Sequence, residues 1–489
     1  MGGAAPVDLL VVGLGVTGAG VALDAASRGL SVVAVDMADL AFGTSRWSSK
    51  LIHGGLRYLA GGDVAVAYEC ARERGILMTR TAPHLVRPLP VVLPLAATVS
   101  RNAGTLYRVG VAAGDVLRMV AGTPGSLLPR ARRISTTRTL EYAPGLKLDG
   151  LRGGNLHWDG QAEDDARLVT AIARTAAGHG ARVLTRCRVL ALAGDGARVR
   201  DELTGDELEI RARCVVNATG VWADQLVSGV KLRPSRGTHV VVRSQRLGGL
   251  GCELTIPVPG EARRFVFAVP HPSGLAHVGI TDEPVDGAVP DVPEPPESDI
   301  VFLLDVLNDA LREPLHRTDV VGAFAGLRPL LNDGTERSAD VSRRHHIAVS
   351  PDGVVTIVGG KLTAYRQMAQ DAVDAVVRRN GIDAPPCRTH TVELVGAAPR
   401  PTLARLDAPS TLVRRYGVEA PLVAELAATE GLTAQVAEDV IEAELVWALR
   451  HEGAMTVDDL LDRRTRIGLV PADRAAALPR AEALFAAYR

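Results

Sequence analysis

The chain has 489 residues, of which 47% are hydrophobic and 23% are charged, and its formal net charge is −1. This balance is typical of a globular protein and excludes the disordered, collagen-like and coiled-coil classes. The lack of a basic excess, together with only 4 Trp, 7 Tyr and 6 Phe, disfavours nucleic-acid binding. The five cysteines form no C-x-x-C pair, so we expect neither a disulfide framework nor a metal site.

The first 36 residues have the pattern of a βαβ unit. Residues 8–13 are a short apolar run that stops at glycine, which predicts a buried parallel strand. Residues 16–28 predict a helix, and residues 31–36 predict a second buried strand. The turn between strand and helix has the spacing G-x-G-x-x-G at Gly13, Gly15 and Gly18, with Val16 and Thr17 at the helix start. This pattern predicts a site for the diphosphate of a dinucleotide.

Asp36 ends the second predicted strand, 18 residues after Gly18. A carboxylate at this place accepts hydrogen bonds from an adenosine ribose and repels the 2′-phosphate of NADP. From the turn alone, FAD and NAD remain open.

Later segments predict further strands at 182–190, 214–217, 238–242, 265–269 and 354–358, and helices at 163–178 and 361–379. A nucleotide-binding sheet built from distant stretches and interrupted by a second sheet fits this order. Residues 281–298, with five prolines and many acids, predict a surface connection. The chain becomes rich in Ala and Glu from about residue 400, which predicts a helical domain, for example over 436–449. Thr456 and Asp459 have the spacing of a capping box.

Residues 48–59 read SSKLIHGGLRYL. This run resembles the signature of the FAD-dependent, quinone-linked glycerol-3-phosphate dehydrogenases. Further matching pieces follow in order, namely APHL at 82–85, DDARL at 164–168, VNATG at 216–220, GLRPL at 326–330, GGKLT at 359–363, and the stretch 458–466.

The resemblance implies an α/β flavoprotein fold with a glutathione-reductase-like FAD-binding Rossmann domain, an antiparallel-sheet substrate domain and an α-helical C-terminal domain. The expected FAD-binding segments are 1–80, 156–230 and 346–385. We expect a membrane-facing insertion of the substrate domain at 81–155, the rest of the substrate domain at 231–345 and the helical domain at 395–489.

The resemblance also implies a reaction. A hydride passes from C2 of sn-glycerol 3-phosphate to FAD, dihydroxyacetone phosphate forms, and the electrons go on to a membrane quinone. The main alternative is an oxidase that uses oxygen and forms hydrogen peroxide. An amine or amino-acid oxidase, a non-enzymatic FAD-binding scaffold and an NAD-linked dehydrogenase are further alternatives.

A phosphate dianion requires cationic partners, and a guanidinium binds it through two parallel hydrogen bonds. The resemblance places Arg57 and Arg328 in the substrate pocket, with Tyr58 as a hydroxyl donor. Lys361 follows two glycines at the predicted start of a helix, where it stabilises an anionic flavin or contacts the substrate.

Two histidines are candidates for the base that accepts the proton of the substrate hydroxyl. They are His53, within HGGLR, and His239, within RGTHVVV. The order of the two stays open, and loss of the proton through water with help from Arg328 is a third route.

Two departures from the family pattern lie near the flavin. Arg46 and Trp47 stand where relatives have small residues, and Ala364 stands where they often have threonine. The residues expected to bind FAD are Gly13, Gly15, Val16, Thr17, Gly18, Asp36, Met37, Thr44, Ser45, Ser48, Ser49, Lys50, Leu51, Gly54, Gly55, Val189, Ala218, Thr219, Gly220, Trp222, Gly359, Gly360, Lys361, Leu362 and Thr363.

The window 96–133 contains six arginines and a single acid, Asp115. Its apolar residues are spaced to share one helical face, which predicts either a basic amphipathic helix on anionic lipid or a solvated basic face packed on the domain. The quinone of the family favours the former, so we expect a cytoplasmic protein bound peripherally to the inner face of the cell membrane. A homodimer is left open. The shared face consists of Leu106, Val109, Ala113, Val116 and Val120.

Overall fold

The computed structural model describes residues 5–60, 62–261, 264–332 and 344–489, without the side chains of Arg57 and Ala60. The strands are β1 (Val7–Val12), β2 (Val32–Val35), β3 (Leu51–Ile52), β4 (Val86–Pro94), β5 (Arg132–Ile134), β6 (Gly154–Ala162), β7 (Arg182–Leu184), β8 (Cys187–Ala193), β9 (Gly196–Asp201), β10 (Glu207–Asn217), β11 (Ser235–Arg243), β12 (Glu253–Pro257), β13 (Phe265–Pro270), β14 (Leu275–Gly279), β15 (Glu283–Pro284), β16 (Val320–Arg328), β17 (His345–Val349), β18 (Val355–Gly359), β19 (Gln435–Ala437) and β20 (Val440–Ile441).

The helices are α1 (Val16–Ser27), α2 (Leu56–Ala60), α3 (Val64–Ile76), α4 (Arg101–Val120), α5 (Thr136–Tyr142), α6 (Asp165–Gly178), α7 (Ala223–Leu226), α8 (Glu297–Asn308), α9 (Tyr365–Asn380), α10 (Arg400–Leu403), α11 (Ser410–Tyr416), α12 (Ala420–Glu430), α13 (Glu442–His451) and α14 (Pro471–Tyr488). No helix in the described ranges has the length and apolar character needed to cross a membrane.

The first sheet is the predicted nucleotide-binding sheet, and it is assembled from distant segments. Its path runs β17-β18-β10-β1-β2-β7, and β8 and β9 join it through β10. β1 lies between β10 and β2 in parallel register, with Leu9 opposite both Cys214 and Val32. The strands of the centre are buried on both faces because α1, α6 and α9 cover one side and β8 and β9 cover the other.

The second sheet is mixed and has ten strands. Its path runs β15-β11-β14-β13-β12-β4-β6-β3, and in addition β16 pairs with β11 and β5 pairs with β6. Alternation along the strands separates its two faces. One face of β11, with Val240 and Val242, packs in an apolar core against α8. The opposite face carries His239 and, on β6, His157. The Tyr107 ring of α4 lies 5.9 Å from the His157 ring, so α4 covers part of that second face.

The last hundred residues form the helical domain that the composition predicts, around a core of their own. The capping box is confirmed, because Asp459 N–H donates to Thr456 Oγ1 (3.2 Å) and Thr456 N–H donates to Asp459 Oδ2 (3.1 Å). The helix expected over 436–449 is wrong in its first part. Residues 435–441 form a hairpin whose turn is held by Arg415, which donates to the Asp439 carbonyl (2.7 Å).

Three other predicted elements differ in their bounds. The segment 182–190 is split between β7 and β8, and a 3-10 turn over Leu362–Ala364 precedes α9. The connection at 281–298 contains β15 and the start of α8. The expected domain boundary at residue 156 falls inside β6, a strand of the second sheet. β6 pairs with β3, which belongs to the signature segment, residues 48–59.

Candidate functional site

The glycine turn between β1 and α1 has the close packing that a dinucleotide site requires. Gly13 has φ +96°, and a Cβ there would lie 2.7 Å from the Ala218 carbonyl oxygen. A Cβ at Gly18 would overlap the Gly13 carbonyl oxygen. The backbone of Gly15 and Val16 therefore starts α1 directly beneath the strand ends, and a helix N-terminus in this position attracts an anion.

The Asp36 carboxylate is hydrogen-bonded to the backbone of the glycine turn. It accepts hydrogen bonds from Leu14 N–H (2.7 Å) and Ala38 N–H (2.9 Å). Burial raises the pKa of Asp36 to about 6, although both backbone donors oppose that rise. Its neighbour Met37 accepts from Arg188 through sulfur (3.3 Å). The ribose role of Asp36 stays a prediction.

The four hydroxyls assigned to the diphosphate all have protein partners. Thr44 Oγ1 donates to the Leu327 carbonyl (2.6 Å) and Ser45 Oγ accepts from Val16 N–H (2.9 Å), while Ser48 Oγ donates to Asp165 (2.7 Å) and Ser49 Oγ is 2.8 Å from His239 Nε2. These bonds tie the loop to α1, to α6 and to strands β11 and β16 of the second sheet. We infer that the hydroxyls shape the loop, and that any diphosphate contact is additional to these bonds.

The signature segment is fixed by buried charges. Lys50 is 1% exposed, and its Nζ lies 3.1 Å from Asp165 and 3.7 Å from Asp164. Leu51 pairs with Gln161 in the short strand β3. Gly54 N–H donates to Asp159 (2.9 Å), and that carboxylate is bound by Arg74 (2.6 Å).

Gly55 then turns with φ +76° against α3, where a Cβ would lie 3.1 Å from Ala67 Cα.

The segment that follows β18 offers an unsatisfied polar group. Gly359 and Gly360 have φ +77° and +73°, and Leu362–Ala364 form the turn that leads into α9. Thr363 is 1% exposed, and its Oγ1 has no hydrogen-bond partner among the described residues. A buried hydroxyl without a partner is unfavourable, so this atom fits a cofactor that supplies the missing bond.

The remaining expected FAD contacts line the same end of the first sheet. Ala218 N–H donates to the Val12 carbonyl (2.8 Å), and Thr219 bonds the Asn217 side chain at the end of β10. Gly220 has φ +62°, and the Trp222 ring covers Gly43. Val189 lies on β8, within the apolar core beneath β1.

Arg328, which the family resemblance predicts in the substrate pocket, is the last residue of β16. Its guanidinium donates to Ser235 Oγ (3.2 Å), Asp282 Oδ1 (3.2 Å) and the Thr281 carbonyl (3.1 Å). Cross-strand pairing places Ser235 opposite Arg328. The guanidinium is therefore held in one orientation at the sheet edge.

His239 lies on the same sheet face, 1% exposed, and stacks on Phe324 with ring centroids 4.7 Å apart. Its Nδ1 has no partner among the described residues. Burial, followed by the positive charges of Lys50 and Arg328, lowers the pKa of His239 to about 3. The imidazole is consequently neutral at physiological pH.

Lys361 and Tyr58 lie together at a second edge of the site. The Lys361 ammonium is 3.0 Å from the Tyr58 ring centroid and 3.3 Å from Cys70 Sγ. A cavity of about 220 Å³ opens beside them, lined by Glu69, Cys70, His345 and Lys361 among others. Arg57 belongs to α2, but its side chain lies outside the described residues.

His53 Nδ1 accepts from Gly55 N–H (3.2 Å). His53 therefore helps to shape the signature turn, whereas His239 stands beside Arg328.

Sequence reasoning missed the carboxylates that hold these groups. Asp159 anchors Gly54, Asp282 orients Arg328, and Asp165 fixes Ser48 and Lys50. Asp165 belongs to the DDARL piece, which is the one local signal for this set. The other two stand in unremarkable surroundings, and their partners are more than 40 residues away in the chain.

Sequence reasoning also missed Glu253, a buried carboxyl group on the second sheet. Glu253 is 5% exposed and lies on the same sheet face as His157, with Thr255 Oγ1 3.5 Å from its carboxylate. Burial, followed by the charge of Asp159, raises the pKa of Glu253 to about 8. The Glu253 carboxyl is therefore largely protonated at neutral pH.

Comparisons with known proteins agree with this geometry. The family model of FAD dependent oxidoreductases matches residues 8–366, and the model of the C-terminal domain of alpha-glycerophosphate oxidase matches residues 387–488. Glycerol-3-phosphate dehydrogenase 1 of Mycobacterium tuberculosis is 51% identical over 477 residues, which cover 96% of this chain and 92% of the relative. Mitochondrial glycerol-3-phosphate dehydrogenase of Macaca fascicularis is 35% identical, covering 97% of this chain and 69% of its own.

Two solved structures share the fold. The Bacillus halodurans glycerol-3-phosphate dehydrogenase complexed with FAD is 28% identical, with a TM-score of 0.74, 99% of this chain and 91% of its own covered. The Mycoplasma pneumoniae L-alpha-glycerophosphate oxidase with FAD bound has a TM-score of 0.60 at 19% identity, covering 80% of this chain and 99% of its own, and it shows the fold alone.

The two sheets, the glycine turn and the matching family model define an FAD-dependent oxidoreductase of mixed α/β fold with a helical C-terminal domain. The tight turn and the unpartnered Thr363 hydroxyl fit FAD as the cofactor. Within that class, the chain belongs to the FAD-dependent glycerol-3-phosphate dehydrogenase family.

Replacing Glu253 with Gln should remove a pH dependence of stability. The folded-state pKa of about 8 lies above the ordinary value of 4.5, so the folded protein holds a proton that the unfolded chain releases. The free energy of unfolding should fall as pH rises from about 4.5 to 8, by roughly 1.4 kcal/mol per unit from this group. Urea unfolding at pH 5 and pH 8 should show a smaller fall in E253Q. The exposed Glu425→Gln is the control, and equal pH slopes in wild type and E253Q would contradict the assignment.

Proposed function

We propose that the protein oxidises sn-glycerol 3-phosphate at C2 to dihydroxyacetone phosphate and passes the electrons to a membrane quinone. The first sheet would bind FAD, and the second sheet would bind the substrate. The relatives named for this activity support the proposal over nearly the whole chain. The single observation that carries it is the oriented guanidinium of Arg328 beside the neutral imidazole of His239.

A phosphate dianion is the substrate group that this edge suits. Three protein contacts fix the guanidinium of Arg328 before substrate arrives, so little conformational freedom is lost on binding. From the second edge of the site, Lys361 would add a positive charge and Tyr58 a hydroxyl, and the family resemblance adds Arg57. A monoanionic carboxylate, the substrate of amino-acid oxidases, requires fewer cations.

When bound, FAD supplies the hydride acceptor for C2. The protein must then take the proton of the C2 hydroxyl. His239 is neutral and therefore able to accept this proton, whereas Nδ1 of His53 already accepts a backbone hydrogen bond. A dianion beside Arg328 would also offset the positive charge that lowers the pKa of His239, so that substrate binding makes the imidazole a better base.

Arg328→Ala should raise the KM for sn-glycerol 3-phosphate by about tenfold to a hundredfold, because a charge-assisted contact to phosphate is lost. FAD should remain bound. Anaerobic addition of substrate should bleach the flavin band of the wild type, and the half-saturating concentration should rise in the variant.

Arg236→Ala is the matched control, because Arg236 neighbours Ser235 on β11 but pairs with Asp299 on the opposite sheet face. An unchanged KM in R328A would refute the phosphate assignment. A flavin spectrum that the substrate leaves unaltered in the wild type would refute the activity itself.

His239→Asn should lower kcat by about 100-fold or more, in the range usual for loss of a general base. In the wild type, the acidic limb of the pH profile of kcat should reflect a pKa above 3, because bound phosphate raises it. This limb should vanish in H239N. Its survival in H239N and disappearance in His53→Asn would transfer the role to His53.

The surface of α4 supports a membrane-bound acceptor. Along one side of this helix, large apolar side chains are exposed, by 73% for Leu106, 60% for Val109 and 66% for Val120. Arg101 and Arg108 are exposed on the same helix. An apolar stripe flanked by cations is the surface that lies in the headgroup region of an anionic bilayer. Arg118 does not belong to it, because it is buried and donates to the Thr123 carbonyl (2.7 Å).

Vesicles of phosphatidylglycerol and phosphatidylcholine in equal parts should co-sediment with the protein at low salt and release part of it at high salt. Introducing Leu106→Glu and Val109→Glu together should weaken this binding at least tenfold. Leu422→Glu, at a 52% exposed leucine of α12, is the control. Equal binding by the double variant and the control would contradict the proposed surface.

The acceptor is decided by one comparison on the same enzyme. Under argon, a short-chain quinone should reoxidise the substrate-reduced protein within the turnover time. In air without quinone, hydrogen peroxide equal to the substrate consumed would instead identify an oxidase.

A further inference from the structure

The segment Arg463–Arg466 of the helical domain lies against the loops that face the dinucleotide turn. Arg464 grips Asp39 with two hydrogen bonds, of 2.8 and 2.9 Å, and Arg463 adds a third of 2.7 Å to the same carboxylate. All three side chains are at most 4% exposed. Although burial opposes it, these guanidiniums lower the pKa of Asp39 to about 2.

Arg466 makes the second attachment. Its guanidinium pairs with Asp164 (3.1 Å) and donates to the carbonyl of Arg46. Asp164 in turn lies 3.7 Å from Lys50 Nζ. The segment thus reaches both ends of the loop 39–50 through buried, charged contacts.

The same loop contacts the dinucleotide turn from its other side. Its Ser45 hydroxyl accepts from Val16 N–H at the start of α1, and Ala41 N–H donates to the Leu14 carbonyl (3.0 Å). Asp39 and Arg46 therefore lie within two residues of the loop groups that bond the glycine turn.

Arg46, within the loop 39–50, is a buried cation close to the arginine segment. It is 3% exposed and forms no ion pair with any residue in the described ranges, and its guanidinium stacks over Trp47 (4.4 Å) and Phe42 (5.1 Å). Burial, followed by the charges of Arg466 and Arg463, lowers its pKa to about 9. The arginine segment thus adds positive charge next to a buried cation that has no ion-pair partner in the described ranges, and a diphosphate bound at the glycine turn would reduce the repulsion.

We propose that the helical C-terminal domain is a working part of the flavin site: Arg463, Arg464 and Arg466 are positioning residues that hold the loop 39–50 in its FAD-binding shape. FAD binding and the docking of this segment then favour each other. Because coupling between two binding events is reciprocal, each should be measurable from the other side.

The first test compares two buried ion pairs of the same domain. Arg464→Met breaks the contact to Asp39, whereas Arg415→Met breaks the pair with Glu444 (2.9 Å) inside the helical domain, away from the loop. Both variants should lower the thermal stability of the apoprotein. R464M alone should weaken FAD binding at least tenfold, measured by quenching of FAD fluorescence on titration, while R415M stays within twofold of the wild type.

Arg464→Lys keeps the charge but loses the paired hydrogen bonds, so its FAD affinity should lie between those of R464M and the wild type. FAD affinity of R464M equal to the wild type, or lowered no more than in R415M, would overturn the proposal, since the segment would then be structural only.

A measurement on the unmodified protein covers the case in which R464M does not fold. Hydrogen–deuterium exchange is recorded on the full chain with and without FAD. FAD should slow exchange at 457–466 at least tenfold and leave α12, at Ala420–Glu430, unaffected. The same exchange at 457–466 in both states, or equal slowing at α12, would overturn the proposal.

Discussion

Buried ion pairs on both sides of one short loop restrict the conformation of that loop. Residues 36–50 carry or contact four carboxylates, Asp36, Asp39, Asp164 and Asp165, and three of these are bound by lysine or arginine side chains. A charge out of water is strongly unfavourable unless it is paired and hydrogen-bonded. The loop consequently has few alternative conformations. Its hydrogen bonds to Val16 and Leu14 restrict the glycine turn as well.

The second sheet separates packing from chemistry by simple alternation. On β11, Val240 and Val242 point into the core with α8, while His239 points to the opposite face. An imidazole without a charged partner, surrounded by Lys50 and Arg328, stays neutral. Under the proposed function, a bound phosphate would offset the positive charges that suppress protonation of this imidazole, so substrate binding would raise the pKa of His239.

Local features of the site were predictable from the sequence, and distant pairings were not. The βαβ unit, the glycine turn and the capping box at Thr456 depend on residues within one turn or one strand of each other. The family resemblance predicts Arg328 in the substrate pocket and leaves His239 as one of two candidate bases. It could not show that Thr44 bonds Leu327, 283 residues away, or that residues 435–441 form a hairpin whose turn Arg415 holds. Arg463, Arg464 and Arg466 look like a solvated basic run until the fold brings Asp39 and Asp164 to them.

The arginine segment is among the last parts of the chain to be synthesised, so its contacts with the loop 39–50 can form only late. Asp39 is synthesised 424 residues before Arg463 and 425 residues before Arg464, the two arginines that bind it. Until the last tenth of the polypeptide emerges, Asp39 lacks the arginine side chains that bind it, and contacts of such long range form late in folding. Under the proposal above, tight binding of the yellow prosthetic group is therefore expected only after the arginine segment has been synthesised.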